Sequence, residues 1–353
     1  MTVFACARCD TLLTAPVSRV ALPVHARQVY GHELIGVLME SGTYAVDPEP
    51  FGPPWRPWAE NSPEQVRASG VHAPVFALSH GPREAIVIAP GDVRGTVLIP
   101  ERCSGRCCGP DGRDGPNLAC TGCGTAVASR IDDCGSWQAV WLDPRGVRAL
   151  PVPGPALDSA DWDELRERWP GTPPVERSGW WSPLWAAAVG AALAHALAAS
   201  NGTRITVPAG LLADFFGRSL DALLPQRSPA RPLALAGPGV PAVAGTIALT
   251  PRHPHTGEIW QPAATRDVVP LDAEVWTYLV SPRDRGPAAG GRVAPKAAHQ
   301  VYRDDLSPFL PILAFRPDRD VFLDTLVRLP QVRRPWLRAI YDRVQDRLWE
   351  GPF

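Results

Sequence analysis

What most limits the folds open to this chain is a pair of short cysteine turns set far apart. Cys6-Ala7-Arg8-Cys9 lies near the start, and Cys120-Thr121-Gly122-Cys123 follows more than a hundred residues later. Two intervening residues let both sulfurs of a pair turn to one side, each about 2.3 Å from a shared ion. Gly124, directly after the second pair, suits the unusual backbone dihedrals of such a turn. The first pair sits between Val3-Phe4-Ala5 and Thr11-Leu12-Leu13-Thr14, and the second between Leu118-Ala119 and Thr125-Ala126-Val127-Ala128. Both contexts predict strand, turn, strand. If the four thiolates share one ion, residues 10–119 must leave the first turn and return to the second.

Disulfides, a redox pair and inert buried thiols are the competing readings. No basic-then-apolar signal segment is visible at the N-terminus, so a reducing cytoplasm is expected, where disulfides are disfavoured. A thioredoxin-like pair should open a helix after a buried strand, and neither context has that pattern. Two facing cysteine hairpins resemble the zinc ribbon family. The resemblance covers the two knuckles alone, and ribbon pairs often lie much closer in sequence. It implies a structural zinc on Cys6, Cys9, Cys120 and Cys123 rather than an activity.

A second group of cysteines is Cys103-Ser104-Gly105-Arg106-Cys107-Cys108, completed by Cys134. It is a candidate second metal site, formed by Cys103, Cys107 or Cys108, and Cys134 with one His or Asp. An alternative wiring joins Cys108, Cys120, Cys123 and Cys134 and leaves Cys6 and Cys9 to other partners. Cys107 or Cys108, beside Arg106 and Arg113, is also a candidate reactive thiolate, because nearby cations lower a thiol pKa. The loop Gly109-Pro110-Asp111-Gly112-Arg113-Asp114-Gly115-Pro116-Asn117 is rich in oxygens but lacks the ligand order of a calcium loop, so a tight turn is expected. His253-Pro254-His255 with Glu258 offers the donors of a catalytic metal with an open position, against the plainer reading of an exposed turn. His80 and His32-Glu33 are further candidates to line a cleft. No phosphate-binding glycine loop, nucleophile elbow or HExxH helix is present.

Composition narrows the classes. The 353 residues carry a net charge of −1, which removes any whole-chain electrostatic case for nucleic acid. Arg328, Arg333, Arg334 and Arg338 cluster around Trp336, yet Asp318, Asp320, Asp324, Asp342 and Asp346 are interspersed. With 41 prolines, 31 glycines and Lys296 as the only lysine, the composition resembles that of proteins from GC-rich genomes, actinobacterial ones among them, and long ordered loops are expected. The apolar run from Leu184 to Ala199 is alanine-rich, carries His195 and lacks basic flanks, so it reads as a core helix and not a membrane span.

The expected class is α+β, with residues 1–150 a β-rich, metal-stapled domain and 151–353 a mixed helix and strand domain. Strands are expected at Ala73–Ser79, Ala85–Ile88, Gly95–Ile99 and Ser136–Leu142, the second and third forming a hairpin or sheet pair. Residues 41–70 read as loop, because repeated prolines oppose ladder pairing. Pro151-Val152-Pro153-Gly154-Pro155 reads as the linker. Beyond it, helices are expected at Ala160–Trp169, from Pro183 to a stop at Asn201-Gly202, over Ala209–Leu224 and from Pro335. Strands are expected at Thr203–Val207, Ala244–Thr250, Ile259-Trp260, Val275–Val280 and Leu313–Phe315. Loops fill 225–242, and 281–300 reads as mobile. The expected function is a zinc-stabilised cytoplasmic binding or assembly protein, with a protein partner favoured over nucleic acid and no membrane. A metal-dependent enzyme and a nucleic-acid-binding ribbon are the alternatives.

Overall fold

The structure is a computed structural model, which describes residues 1–32, 34–154, 161–162, 164, 171–176, 178–225, 229–281, 313–346, 348–349 and 351–353. Helices and sheets both contribute, as an α+β class requires. Two compact units result: Met1–Ser159 with Pro254–Gly257, and Ala160–His253 with Glu258–Phe353.

The first unit is built from β1 (Thr2–Cys6), β2 (Ser18–Arg19), β3 (Thr43–Asp47), β4 (Trp55–Pro57), α1 (Pro63–Ala68), β5 (Ala77–Ser79), β6 (Ala85–Ile88), β7 (Thr96–Leu98), β8 (Leu118–Cys120), β9 (Ala126–Ile131), β10 (Ala139–Leu142) and β11 (Val147–Pro151). Seven strands form one sheet in the order β2-β3-β6-β10-β9-β8-β7, while β1 pairs with β11 and β4 with β5. β6 and β10 are buried along their whole length, which explains why Ala-Ile-Val-Ile and Ala-Val-Trp-Leu are apolar without alternation. Successive residues still point to opposite faces. Ile86 and Ile88 join Phe4, Leu13, Cys6 and Cys120 in one cluster, and Ala85 and Val87 join Leu38, Met39 and Trp141 in the other.

Three expectations for this unit are corrected. β6 and β7 are not a hairpin: β6 pairs with β3 and β10, and β7 with β8. The turn Pro90–Asp92 leads the chain away instead, because the buried Asp92 carboxylate is tied to Ser41 Oγ and Gly42 N, each at 2.8 Å. Residues 41–70 contain β3, β4 and α1, since the prolines there fall outside β3 and at the end of a two-stranded edge pair. Pro151 is not linker but the last residue of β11, opposite Thr2.

The second unit contains α2 (Pro183–Ser200), β12 (Arg204–Thr206), a π turn at Ala213–Gly217 running into α3 (Arg218–Leu223), β13 (Ala230–Leu235), β14 (Ile247–Arg252), β15 (Val268–Asp272), α4 (Ala273–Val280), α5 (Arg319–Arg328) and α6 (Pro335–Gln345). Its four strands are parallel, in the order β12-β13-β14-β15. α2 is apolar on all sides and mostly buried inside the unit; among the described residues it is the one helix long and apolar enough to span a bilayer. It ends where Asn201 and Gly202 take the left-handed conformation, and Leu212, Phe215, Phe216, Leu220 and Leu223 form the expected buried face. α6 buries Leu337, Ile340, Tyr341 and Val344 and pairs Arg338 with Asp342 at 2.7 Å; Leu348 lies beyond it and is exposed.

Here too the structure corrects the reading. Residues 275–280 are helical, not extended, because Asp272 caps the Glu274 N–H at 2.9 Å and turns the chain out of β15. β13 occupies part of the expected loop at 225–242; Pro232 is tolerated where it pairs in register with Thr206 at the end of β12. Ile259 makes only an isolated bridge to Arg252, and Leu313–Phe315 is not a strand. Most of the expected helix at 160–169 and nearly all of 281–300 lie outside the described residues.

Candidate metal centres and an adjoining cavity

The two knuckles are built alike, bond for bond. In the first, Cys6 N donates to Thr11 O at 2.9 Å and Asp10 N to Cys6 O at 3.0 Å; in the second, Cys120 N donates to Thr125 O and Gly124 N to Cys120 O, both at 2.8 Å. The fifth position of each turn is left-handed, with φ of 63° at Asp10 and 72° at Gly124. Thr11 Oγ1 lies 3.3 Å from Cys9 Sγ, and Thr125 Oγ1 lies 3.3 Å from Cys123 Sγ. Equivalent positions thus hold equivalent partners.

These turns bring four sulfurs together across the chain. Cys6 Sγ is 3.6 Å from Cys123 Sγ, Cys9 Sγ is 3.5 Å from Cys120 Sγ, and all four lie within 4.8 Å of one another. A disulfide would need about 2.05 Å. The edge of a tetrahedron of thiolates around zinc is about 3.8 Å, from a Zn–S bond near 2.3 Å. The group is therefore placed to bind a metal ion. Cys6 and Cys120 are buried in the sheet's apolar cluster, and Cys9 is exposed. As free thiols they are held far apart in acidity. Burial pushes Cys6 up to about 11, while the Thr125 hydroxyl and amide hold Cys123 at about 6. A cation accepts all four as thiolates, which removes that conflict.

The second group is organised by Asp133. Its buried carboxylate accepts the N–H groups of Arg106 (2.7 Å) and Cys107 (3.1 Å) on Oδ2, and of Cys108 (2.7 Å), Gly109 (3.1 Å) and Cys134 (3.0 Å) on Oδ1. Burial alone would raise its pKa; the amides of Cys108, Gly109 and Arg106 outweigh that and hold it at about 2. Gly109 is required, since a Cβ there would lie 2.1 Å from Asp132 O. On the facing segment, Val29 bridges Ser136 and Tyr30 N donates to Gly135 O at 2.7 Å, which sets His32 beside Cys134.

Two overlapping sets result: His32 Nδ1, Cys107 Sγ and Cys134 Sγ, and Cys108 Sγ, a carboxylate oxygen of Asp133 and Cys134 Sγ, each mutually within 4.8 Å. Cys134 Sγ lies 3.7 Å from His32 Nδ1, and Cys134 N donates to Cys108 Sγ at 3.2 Å. Cys103 stands apart from both, its Sγ 3.3 Å from Ile99 O. The alternative wiring of Cys108, Cys120, Cys123 and Cys134 is not made, because Cys120 and Cys123 are already grouped with Cys6 and Cys9. His32 had no ligand spacing to mark it, and Asp133 had no sequence signal at all.

A cavity of about 560 Å3 opens in the same unit. Its walls include Phe51, Trp55, Trp137 and Trp141, with Phe51 and Trp141 stacked 4.1 Å apart. Arg27, Arg106 and Arg113 also line it. Arg27 is neutralised by Asp47 (2.6 Å) and Glu49 (3.1 Å), and Arg113 by Asp111 (2.5 Å). Among the described residues the Arg106 guanidinium makes no ion pair, so of the three wall arginines it is the one left to meet a ligand.

The other sequence candidates separate. His253 N donates to Glu258 O at 2.7 Å, but His255 belongs to the other compact unit, and His253, His255 and Glu258 form no metal-placed group among the described residues. His80 Nε2 is engaged by Asn61 Oδ1 at 2.6 Å. In the oxygen-rich loop, Asp111 pairs with Arg113 and Asp114 accepts from Ser104 N at 3.0 Å, so its carboxylates are used locally. Arg328 pairs with Asp324, which removes part of the C-terminal basic cluster.

Fold and site together define an α+β protein with thiol-rich groups placed to bind metal. Comparison with protein-family models, with curated proteins and with solved structures gives no match.

Proposed function

We propose that this chain is a zinc-clasped binding protein of a reducing, cytoplasmic compartment. Cys6, Cys9, Cys120 and Cys123 hold a structural zinc in the manner of a zinc ribbon, and the cavity of the first unit takes the ligand. Four thiolates with no open position favour zinc in a structural role, and they need a compartment that keeps thiols reduced.

The observation that carries the binding role is the cavity wall. Its volume falls within the usual range for small-molecule sites, about 300–1,000 Å3. Four aromatic rings present flat apolar surface, and Arg106 supplies a guanidinium outside any ion pair, with a forked donor geometry suited to carboxylate or phosphate. The ligand class this favours is a small ring-bearing compound with one anionic group.

Tryptophan fluorescence tests it, since Trp55, Trp137 and Trp141 stand in the wall. Aromatic carboxylates and nucleoside monophosphates are titrated beside their uncharged amides and nucleosides. Saturable quenching by anionic members is expected. Arg106→Gln should weaken it about tenfold or more, the value of a charge-assisted hydrogen bond, and leave the uncharged compounds unchanged. No saturable response, or an Arg106→Gln response equal to that of the native chain, would overturn the reading.

A further inference from the structure

We infer that His32, Cys107 and Cys134 form a second metal centre, distinct from the four-cysteine clasp, with three protein donors and a fourth position open to an exogenous ligand. The class of metal is a divalent thiophilic ion, zinc in the first place. The fourth ligand is water or a small anion.

The donor count follows from what each neighbour is already doing. Asp133 lies within reach but is spent: five backbone N–H groups converge on its two oxygens, which offer about four lone-pair directions in all. Cys108 Sγ accepts the Cys134 N–H at 3.2 Å, and it is not mutually within 4.8 Å of both His32 and Cys107. His32 Nδ1, Cys107 Sγ and Cys134 Sγ remain. The 3.7 Å between Cys134 Sγ and His32 Nδ1 matches the separation of about 3.6 Å expected for sulfur and nitrogen on one tetrahedral zinc. Metal binding would release the two thiol protons of Cys107 and Cys134 to solvent, with His32 donating as neutral imidazole.

The site is also prepared. Asp133 fixes the backbone of 106–109 and 134 without any metal, and the 29–30 to 135–136 pairing fixes the approach of His32. Two thiolates and an imidazole around a divalent ion sum to zero charge, whereas four thiolates sum to −2. An anion is therefore accepted at this centre and repelled at the clasp. The three donors also lie one, two and three residues from cavity-lining Arg106, Ser136 and Val29.

Cobalt substitution of the full chain tests both halves of the inference. The native chain should bind two equivalents, one resistant to a competing chromogenic chelator and one released readily. His32→Ala and Cys107→Ser, both at exposed positions, should each keep the resistant equivalent and lose the other; Cys103→Ser should keep both. Added azide or imidazole should shift the visible d–d bands of the second equivalent alone. Retention of two equivalents by His32→Ala and Cys107→Ser, or a native chain that binds the resistant equivalent alone, would overturn the centre. Two equivalents with no response to azide or imidazole would overturn the open position and assign the fourth place to Cys108. Failure of the clasp reads differently, as loss of the resistant equivalent from Cys103→Ser and native chain alike.

Discussion

At the scale of single residues, the clasp depends on atoms that are not ligands. Gly122 lies between Cys120 and Cys123, and a Cβ there would meet Thr11 Oγ1 at 2.3 Å and Cys9 Sγ at 3.2 Å. The knuckles touch because this position has no side chain. Thr11 cannot simply rotate away, since its hydroxyl is the partner of Cys9 Sγ. Gly122→Ala should therefore lower metal affinity about 10–100-fold, the usual cost of disturbing a group that orients a ligand, while keeping all four cysteines. Competition with a chelator of known affinity measures it, and an unchanged midpoint would show that the knuckles are not in contact. The same comparison explains a departure from pattern. Asp10 holds the left-handed position that Gly124 holds in the other knuckle, a strain of about 1–2 kcal/mol for an ordinary residue. Aspartate tolerates that region better than most, and its carboxylate is held by Arg148 at 2.7 Å.

At the scale of elements, the junction of β15 and α4 carries a charge that folding disfavours. Burial raises the Asp272 pKa to about 6, Glu274 beside it adds to the rise, and the amides of Glu274 and Val275 with Arg252 oppose it. An acid whose folded pKa lies above its unfolded value is favoured protonated in the native state. Stability is therefore highest below about pH 4 as far as this group is concerned, falls as pH rises towards 6, and stays lower above that. The size of the loss is about 3 kcal/mol. Asp272→Asn keeps an oxygen to cap Glu274 N and removes the charge. The second unit should then gain about 2–3 kcal/mol at pH 8 and nothing at pH 4, read from urea unfolding at the two pH values. Equal shifts at both would mean that the cap, not the charge, sets the balance. This junction also shows where elements were legible. α2 and α6 were readable because length, a proline at the first turn and clear stops all agree. Residues 273–280 were not, because Val, Trp, Thr and Tyr favour strand locally and one capping aspartate decides otherwise. β13 was hidden by its own Pro232, and β3 by the prolines that follow it.

At the scale of the whole molecule, the four cysteines bring together segments of the first unit that lie more than a hundred residues apart. Their local spacing made them legible, since each knuckle is a turn closed by two hydrogen bonds that lie within six residues. The placements of His32 and Asp133 were illegible, because His32 meets Cys134 across 102 residues and Asp133 meets the amides of 106–109 across 24–27, pairings that no local pattern announces. The same long reach governs stability. Cys6 meets Cys123 and Cys9 meets Cys120, so an ion held there would fasten the first strand to the β8–β9 end of the seven-stranded sheet. Structural zinc contributes about 10–16 kcal/mol in small zinc domains, at or above the whole stability of a typical domain, about 5–15 kcal/mol. Cys9 is exposed, so Cys9→Ser removes a ligand without opening the core. Elemental analysis should find tightly held zinc in the native chain and none of it in the variant. In calorimetry it should lose or sharply lower the transition of the first unit. The second unit has its own parallel sheet and core, so its transition should persist. A strong chelator acting on the native chain should reproduce this pattern, and zinc should reverse it. If Cys9→Ser keeps its zinc and both transitions, these four cysteines do not clasp the unit.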